Sequence, residues 1–151
     1  MQRKSNYDKF PIISVGTSGS DCWENWPVIL DRLRTYKSET TSVICIECYP
    51  GVLELPLRRA LEESLRPAAV IMTTDLLKSS PAIERMVGEV LGDDPVFGRM
   101  NRIQIEDFFD DRKLDNARDR TWRRQKGLLL ILGTGATLVA PEPDILIYAA
   151  S

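Results

Sequence analysis

The sequence predicts a three-layer α/β domain with a mostly parallel sheet and helices on both faces. Continuous apolar runs of strand length lie at residues 42–48, 69–74 and 128–133. Strands without polar alternation are typical of buried parallel sheets, so these three runs are expected to be the central strands. Segments with helical apolar spacing separate these runs, as in successive βαβ units. The 151 residues are the length of one domain, so residues 1–151 are expected to fold as a single unit.

The first half of the chain alternates strands with amphipathic helices. Residues 10–15 are expected to form a short strand or an extended arm, and Asp21 is expected to cap a helix that runs to about Lys37. Residues 42–48 are the clearest strand. The helix after that strand carries leucines at the spacing of a buried stripe, namely Leu53, Leu57, Leu61 and Leu65.

The second half repeats the alternation. Ser80 is expected to cap a helix with Pro81 at its first position, and residues 102–106 alternate like a short strand. A charged helix is expected from about 112 to 125. The last predicted strands are residues 128–132 and 145–148.

Composition excludes several classes of function. The chain has no histidine, which removes Ser-His-Asp and Cys-His triads and histidine metal sites. The net charge of −2 gives no excess of positive charge for a nucleic-acid partner. No apolar stretch approaches the length of a membrane span. Residues 1–9 are basic but lack the apolar core of a secretory signal, so we expect them not to be one. We therefore expect a cytoplasmic protein without a membrane partner.

The three cysteines indicate a reducing compartment. Cys22, Cys45 and Cys48 are an odd number, so they cannot form a complete disulfide framework. Cys45 and Cys48 lie three residues apart in a predicted strand, which points their sulfur atoms to opposite faces. This geometry favours buried structural cysteines over a redox pair or half of a zinc site.

The glycine-rich turns lack the residues of an intact phosphate loop. Such a loop needs a lysine and a hydroxyl directly after its glycines, but Asp21 and Cys22 follow the turn at 16–20. The loop at 48–51 has one glycine and no lysine, which favours a plain strand-to-helix turn. Residues 133–138 begin like a dinucleotide loop, but Leu138 replaces the third glycine, and the prolines that follow leave no room for a helix.

Several polar residues have both a chemical and a structural interpretation. Asp75 is placed to orient a hydroxyl group or a magnesium-bound water, and Lys78 to contact an anion; a simple cap is the favoured alternative. Three carboxylates before a predicted helix favour a solvated helix start over a metal site, and the arginines around Trp122 favour a solvated helix face. These two groups are Asp107, Asp110 and Asp111, and Arg118, Arg120, Arg123 and Arg124.

Four segments occur in the order and spacing of one known module. They are residues 70–78 (VIMTTDLLK), 105–110 (IEDFFD), 133–141 (GTGATLVAP) and 144–148 (DILIY). The chain resembles the N-terminal region that precedes the cupin domain in a bacterial group of long class I mannose-6-phosphate isomerases. Residues 3–9 (RKSNYDK) and 43–51 (VICIECYPG) fit as well, so the resemblance covers nearly the whole chain.

That module is itself similar to a degenerate P-loop domain of the uridine-kinase type. In such kinases the first strand ends in the phosphate loop, a second ends in an aspartate, and a later one leads to a glycine. Residues 48–51, Asp75 and Gly133 occupy these places in order. The lysine and hydroxyl of the kinase loop are missing after Gly51, so the resemblance implies a vestigial, non-catalytic domain.

The resemblance implies no catalytic residue and no cofactor in this chain. The isomerase chemistry belongs to a zinc-bearing cupin with histidine ligands. Residues 144–148 have the pattern of a core strand close to the end of the sequence. We therefore expect an N-terminal fragment of a longer protein, with the downstream cupin domain as its partner.

Two other functions remain open. One is an active nucleoside- or sugar-kinase-like phosphotransferase with an atypical phosphate loop, for which a nucleotide or sugar phosphate is a further candidate partner. The other is a structural interaction domain that binds no small molecule.

The candidate ligand site lies at the carboxyl ends of the predicted strands, where open α/β sheets bind ligands. Seven residues end or follow three separate apolar runs, and no metal site is expected among them. They are Tyr49, Gly51, Thr74, Asp75, Gly133, Thr134 and Gly135.

Overall fold

Four apolar runs pair as a parallel sheet in a computed structural model, which describes residues 23–40, 42–91, 102–123 and 126–150. The strands are Val43–Cys48 (β1), Ala69–Met72 (β2), Leu129–Gly133 (β3) and Ile145–Ala149 (β4). The helices are Trp26–Tyr36 (α1), Glu54–Leu65 (α2), Ser80–Leu91 (α3), Asp111–Trp122 (α4) and Ala136–Val139 (α5). The strand order is β2-β3-β1-β4, and every pairing among these strands is parallel.

Alternate residues of β1 pack against different helices. Ile44 and Ile46 belong to a buried cluster with Leu33 of α1 and with the leucine stripe of α2. Val43 and Cys45 belong to a second buried cluster, which includes side chains of α4 and α5. Because successive side chains of a strand point to opposite faces, helices cover both faces of β1. The predicted three-layer α/β arrangement is confirmed.

Helix α1 begins later than the sequence predicts. It starts at Trp26, and the side chain of Asn25 accepts a hydrogen bond of 3.4 Å from the amide of Val28. Asn25 is therefore the N-cap. The predicted cap, Asp21, and the predicted strand or arm at residues 10–15 lie outside the described residues.

Two strand predictions need correction. The run at 69–74 was predicted as a central strand, but β2 lies at an edge of the described sheet and ends at Met72, and Thr73–Leu76 form a one-turn 3-10 helix. The alternating residues at 102–106 do not form a strand, because Ile105–Phe108 are a 3-10 helix. In that helix the side chains of Gln104 and Asp107 cap each other's backbone amides, and this local capping overrides the alternation.

Two helix predictions also need correction. Ser80 is the first residue of α3 rather than its cap. The segment after Gly135 does have room for a helix, since α5 completes a single turn before the prolines.

None of the helices in the described part of the chain combines the length and the apolar character needed to cross a bilayer.

Cys45 and Cys48 are buried on opposite faces of the sheet, as predicted. Both are free thiols, each in a different core cluster. Burial, assisted by the charge of Glu47, raises the pKa of Cys45 to about 12. Burial and the nearby charge of Glu54 raise the pKa of Cys48 to about 11. Both thiols are therefore neutral at physiological pH.

We expect Cys45 and Cys48 to be unreactive toward a thiol reagent at pH 8 in a folded Cys22→Ser variant, and both to react after unfolding in urea. The unfolded thiols have a pKa of 9.0, so as the pH rises they ionise before the folded ones do. Their contribution to stability is fully present below pH 9 and is lost toward pH 11 to 12. Spectrophotometric thiol counting tests the first expectation, and urea titrations along the alkaline range test the second. Rapid labelling of either thiol in the folded protein would contradict the burial.

Candidate functional site

The crevice between the carboxyl ends of β1 and β3 is the topological switch point of the sheet. The chain leaves β1 toward α2, which packs on the face that carries Ile44 and Ile46. It leaves β3 toward α5, whose Ala136 and Val139 pack on the opposite face. The two outgoing connections therefore diverge, and such a point is where open α/β sheets accept ligands.

The carboxylate of Glu47, near the end of β1, fills this crevice. Its Oε1 accepts a hydrogen bond of 2.5 Å from the amide of Gly135. Its Oε2 accepts bonds of 2.8 and 2.9 Å from the amide and the hydroxyl of Thr137. The half-buried Glu47 side chain thus occupies backbone donors that an anionic ligand would otherwise use.

A second contact joins the same two strand ends. The hydroxyl of Thr134 donates a hydrogen bond of 2.9 Å to the carbonyl oxygen of Cys48. Together with the bonds to Glu47, this contact ties the loop after β3 to the last two residues of β1.

Gly133 and Gly135 are required by close packing. Gly133 has φ of +130°, and a Cβ there would overlap the hydroxyl of the buried Thr73. Gly135 has φ of +80°, and a Cβ there would meet the ring of Phe109 at 2.9 Å. Both conformations favour glycine, so these glycines bring the loop against protein side chains.

The crevice is acidic. Glu54, the first residue of α2, lies close enough to Gly133 that one of its carboxylate oxygens would be 3.2 Å from a Cβ at that position. Its charge, like that of Glu47, raises the pKa of the Cys48 thiol beyond the effect of burial. A phosphate placed here would face two carboxylates.

The loop after β1 contributes little to the crevice. Tyr49 is 69% exposed, and Gly51 adopts φ of +108° with open space around its missing side chain. The amide of Val52 donates to the carbonyl of Tyr49. The favoured interpretation of this segment, a strand-to-helix turn, agrees with this geometry.

Two of the predicted site residues follow the end of β2 on an exposed turn. Thr74 and Asp75 are both exposed, and the residue that approaches Gly133 is Thr73. The ammonium group of Lys113 donates to the carbonyls of Asp75 and Leu77, each at 3.1 Å. Of the seven predicted site residues, the structure brings Gly133, Thr134 and Gly135 to the crevice, whereas Thr74 and Asp75 lie on an exposed turn.

Other polar candidates have structural partners. Lys78 donates to the carbonyl of Asp107 at 2.6 Å. Asp107 caps the amide of Gln104, and Asp110 caps α4 through the amide of Lys113. Arg118 bonds the carbonyl of Leu138 and the carboxylate of Glu106, so its role extends beyond a solvated helix face. The described residues contain no cluster of three or more acidic or cysteine side chains suited to a metal ion.

Sequence reasoning missed Glu47, the residue with the most hydrogen bonds in the crevice. The available signal was one charged side chain within the otherwise apolar run at 43–48, together with a glycine-rich turn after another predicted strand, at 133–135. The partners of Glu47 are 88 and 90 residues away in sequence, so no local pattern reports the contact.

Comparison with known proteins places the chain by family only. Residues 25–150 match the model of a family described as Domain of unknown function (DUF8485). No curated protein and no solved structure matches the chain significantly.

We expect Glu47→Ala to lower the free energy of unfolding by roughly 2–4 kcal/mol, because it removes three hydrogen bonds to a carboxylate and leaves two amides without their acceptor. Glu47→Gln retains one acceptor oxygen and is expected to lose about half as much. Urea denaturation of both variants measures these losses. Glu63→Gln, on the exposed face of α2, is the charge-matched control and should change stability by less than about 0.5 kcal/mol. Equal stability of Glu47→Ala and wild type would refute the role of this contact.

We expect Gly133→Ala to be more destabilising than Gly51→Ala. Both positions have a positive φ that residues with a Cβ rarely adopt, so each substitution introduces backbone strain of about 1–3 kcal/mol. Only at Gly133 does the new methyl group meet a buried neighbour, which adds roughly 1–3 kcal/mol of overpacking. Thermal or urea unfolding of the two variants measures both losses of stability. The difference between them reports the contact of the new methyl group with Thr73, and equal losses would show that this contact costs nothing.

Proposed function

The chain belongs to the DUF8485 family, and we propose that it is a non-catalytic accessory domain, a vestigial kinase-like unit of a mannose-6-phosphate isomerase-like protein. The observation that carries this proposal is the hydrogen bonding of Glu47. At the switch point, where a nucleotide-binding sheet would hold phosphate, the backbone donors of Gly135 and Thr137 already bind a carboxylate of the chain itself.

A phosphate could use these donors only by displacing that carboxylate. The displaced Glu47 would leave its three hydrogen bonds, and the phosphate would still lie beside Glu54. Both effects oppose anion binding, since an unpaired carboxylate near an incoming anion is electrostatically unfavourable.

The loop after β1 supports the same conclusion. Phosphoryl transfer relies on a lysine and on backbone amides that surround the phosphates. Residues 49–53 contain neither lysine nor arginine, and the amide of Val52 is bonded to Tyr49. A kinase mechanism would therefore need cations from elsewhere.

The link to mannose-6-phosphate isomerases rests on the sequence resemblance. In that family the reaction takes place in the zinc-bearing cupin, and this chain contains no histidine to supply such a centre. We propose that the domain contributes by packing against its own downstream cupin.

We expect no binding of magnesium-ATP in isothermal titration and no phosphoryl transfer to nucleosides or sugars. Binding together with transfer would establish the kinase-like alternative and overturn the proposal. Asp75→Ala serves as the diagnostic variant, because its exposed side chain can be removed without loss of the fold. If Asp75 is catalytic, this variant abolishes transfer while its unfolding curve matches that of the wild type.

The reading frame downstream of codon 151 tests the assignment to an isomerase. A histidine-bearing cupin is the expected sequence there. A frame that continues into an unrelated domain would reject the link and leave the conclusion about the crevice intact.

A further inference from the structure

Two polar side chains at the carboxyl end of β3 are not used by the contacts described so far. Thr73 follows β2, and the pairing of Met72 with Leu132 places Thr73 beside Gly133. Glu54, the first residue of α2, approaches the same glycine. Within the part of the chain that the structure describes, the hydroxyl of Thr73 and the carboxylate of Glu54 form no hydrogen bond and no ion pair.

The two side chains converge on the position of the missing side chain of Gly133. A Cβ atom there would overlap the hydroxyl of Thr73 and lie 3.2 Å from Oε1 of Glu54. Both oxygens are therefore within 3.2 Å of a single point, and one donor atom at a hydrogen-bond distance of roughly 2.7–3.2 Å can reach both. The bonds of Glu47 join β1 to the loop after β3 and use neither side chain.

The burial of Thr73 makes its free hydroxyl unusual. The residue is only 2% exposed, and buried polar groups normally have a hydrogen-bond partner. Among the described residues, the fully enclosed side-chain atoms without a partner are the indole nitrogen of Trp23 and the hydroxyl of Ser64. The oxygen of Thr73 is not one of these enclosed atoms, so a polar atom from outside the chain can still approach it.

The charges around this pair of side chains are negative. Glu54 is half-buried, and its charge adds to that of Glu47 near the thiol of Cys48. Residues 49–53 contain neither lysine nor arginine, and Arg58, one turn along α2, is already paired with another carboxylate at 2.9 Å. Because a half-buried carboxylate without a counter-charge attracts cations, the missing partner is expected to carry positive charge.

A primary ammonium group fits this arrangement better than a metal ion or a neutral hydroxyl group. An ammonium group has three N–H donors and no acceptor, so it can bond Glu54 and Thr73 together and supply the counter-charge. Calcium takes roughly six to eight oxygen ligands, whereas the described residues contain no group of three acidic or cysteine side chains that could hold a metal ion. A neutral hydroxyl group would leave the charge of Glu54 without a counter-charge.

We propose that Glu54 and Thr73 form a binding site for the ammonium group of a primary amine. The carboxylate of Glu54 accepts hydrogen bonds from the ammonium group and balances its charge, and the hydroxyl oxygen of Thr73 accepts a further bond. A small free amine and a lysine side chain of another polypeptide carry the same group. The site is independent of the proposed accessory role, because it involves neither ATP nor a downstream cupin.

Titration of the isotope-labelled full chain with methylammonium chloride, followed by NMR at constant ionic strength, tests the proposal. We expect saturable shifts of the amide signals of Thr73 and Gly133. Tetramethylammonium is the matched ligand control, because it has the same charge but no N–H donor. Its binding at this site is expected to be at least about tenfold weaker.

Three variants identify the contacts. Glu54→Gln removes the charge and is expected to weaken methylammonium binding at least about tenfold, because hydrogen bonds between charged groups are the stronger ones. Thr73→Val removes only the hydroxyl and is expected to weaken binding by about 2–10-fold. This variant should not lower the urea midpoint, since the hydroxyl has no partner in the described chain to lose. Glu63→Gln, on the exposed face of α2, is the charge-matched control and should leave the affinity unchanged.

A short peptide with one lysine, acetyl-Gly-Lys-Gly-amide, distinguishes the two sources of the ammonium group. Binding at least as tight as that of methylammonium identifies a lysine side chain of another polypeptide as the ligand. Weaker binding identifies a small free amine. Either result supports the site, provided that Glu54→Gln weakens the binding of both probes.

Three results would overturn the proposal. The absence of saturable shifts with methylammonium would show that water completes the hydrogen bonds of Glu54 and Thr73. Equal affinity for methylammonium and tetramethylammonium, or equal affinity in the wild type and in Glu54→Gln, would show general charge attraction. Tighter binding of magnesium chloride than of methylammonium would identify a metal site. These readouts do not involve ATP, so the test can fail without affecting the proposed function.

Discussion

The packing at the carboxyl edge of the sheet depends on the hydrogen bonds of Glu47, which join the end of β1 to the loop after β3. A single carboxylate near the end of β1 accepts both backbone and hydroxyl donors of the loop after β3. That loop must pass through Gly135 in a left-handed conformation before the one turn of α5 begins. The same turn carries Ala136 and Val139 into the core beneath α4. Releasing Glu47 would therefore loosen the packing of one face as well as a surface loop.

The same contact also sets the chemistry of the edge. A carboxylate that fills the switch-point crevice satisfies the donors there and adds negative charge beside Glu54. The neighbouring Cys48 remains protonated, since burial and these charges both disfavour a thiolate. Free backbone donors or positive charge favour phosphate binding, and positive charge favours a thiolate. In this crevice the amides of Gly135 and Thr137 are already bonded to Glu47, and the charges near Cys48 are negative. The fold class alone suggests a ligand site here, whereas the residues of this chain bind one another at that point, and the residues of a site rather than its fold determine its chemistry.

The sequence was sufficient for those parts of the fold that depend on local pattern. β1, β3 and the leucine stripe of α2 follow from uninterrupted apolar runs and helical spacing, and the separation of Cys45 from Cys48 follows from strand geometry. The edge position of β2 depends on strand order, which no local pattern reports. The segment before α4 alternates like a strand, but mutual capping between Gln104 and Asp107 makes a 3-10 turn more favourable. In the site, Gly133 and Gly135 were identifiable as glycines in a turn, whereas Glu47 acquires its role only from partners distant in sequence.

The strand order also determines which surfaces remain for function. The carboxyl end of β1 lies inside the sheet and is closed by contacts to the chain itself, yet exposed apolar side chains surround it. Tyr49, Leu53 and Tyr148 are 69%, 75% and 74% exposed, and each lies at or next to this edge of the sheet. Exposed apolar groups around a polar but internally satisfied centre are suited to contact with another protein surface, in which aromatic residues are enriched. Since the polar groups at the centre already have partners, a protein surface placed over them would leave few of them unpaired. In the accessory role proposed above, this edge would be the surface that packs against the neighbouring domain, and the crevice would be its structural support.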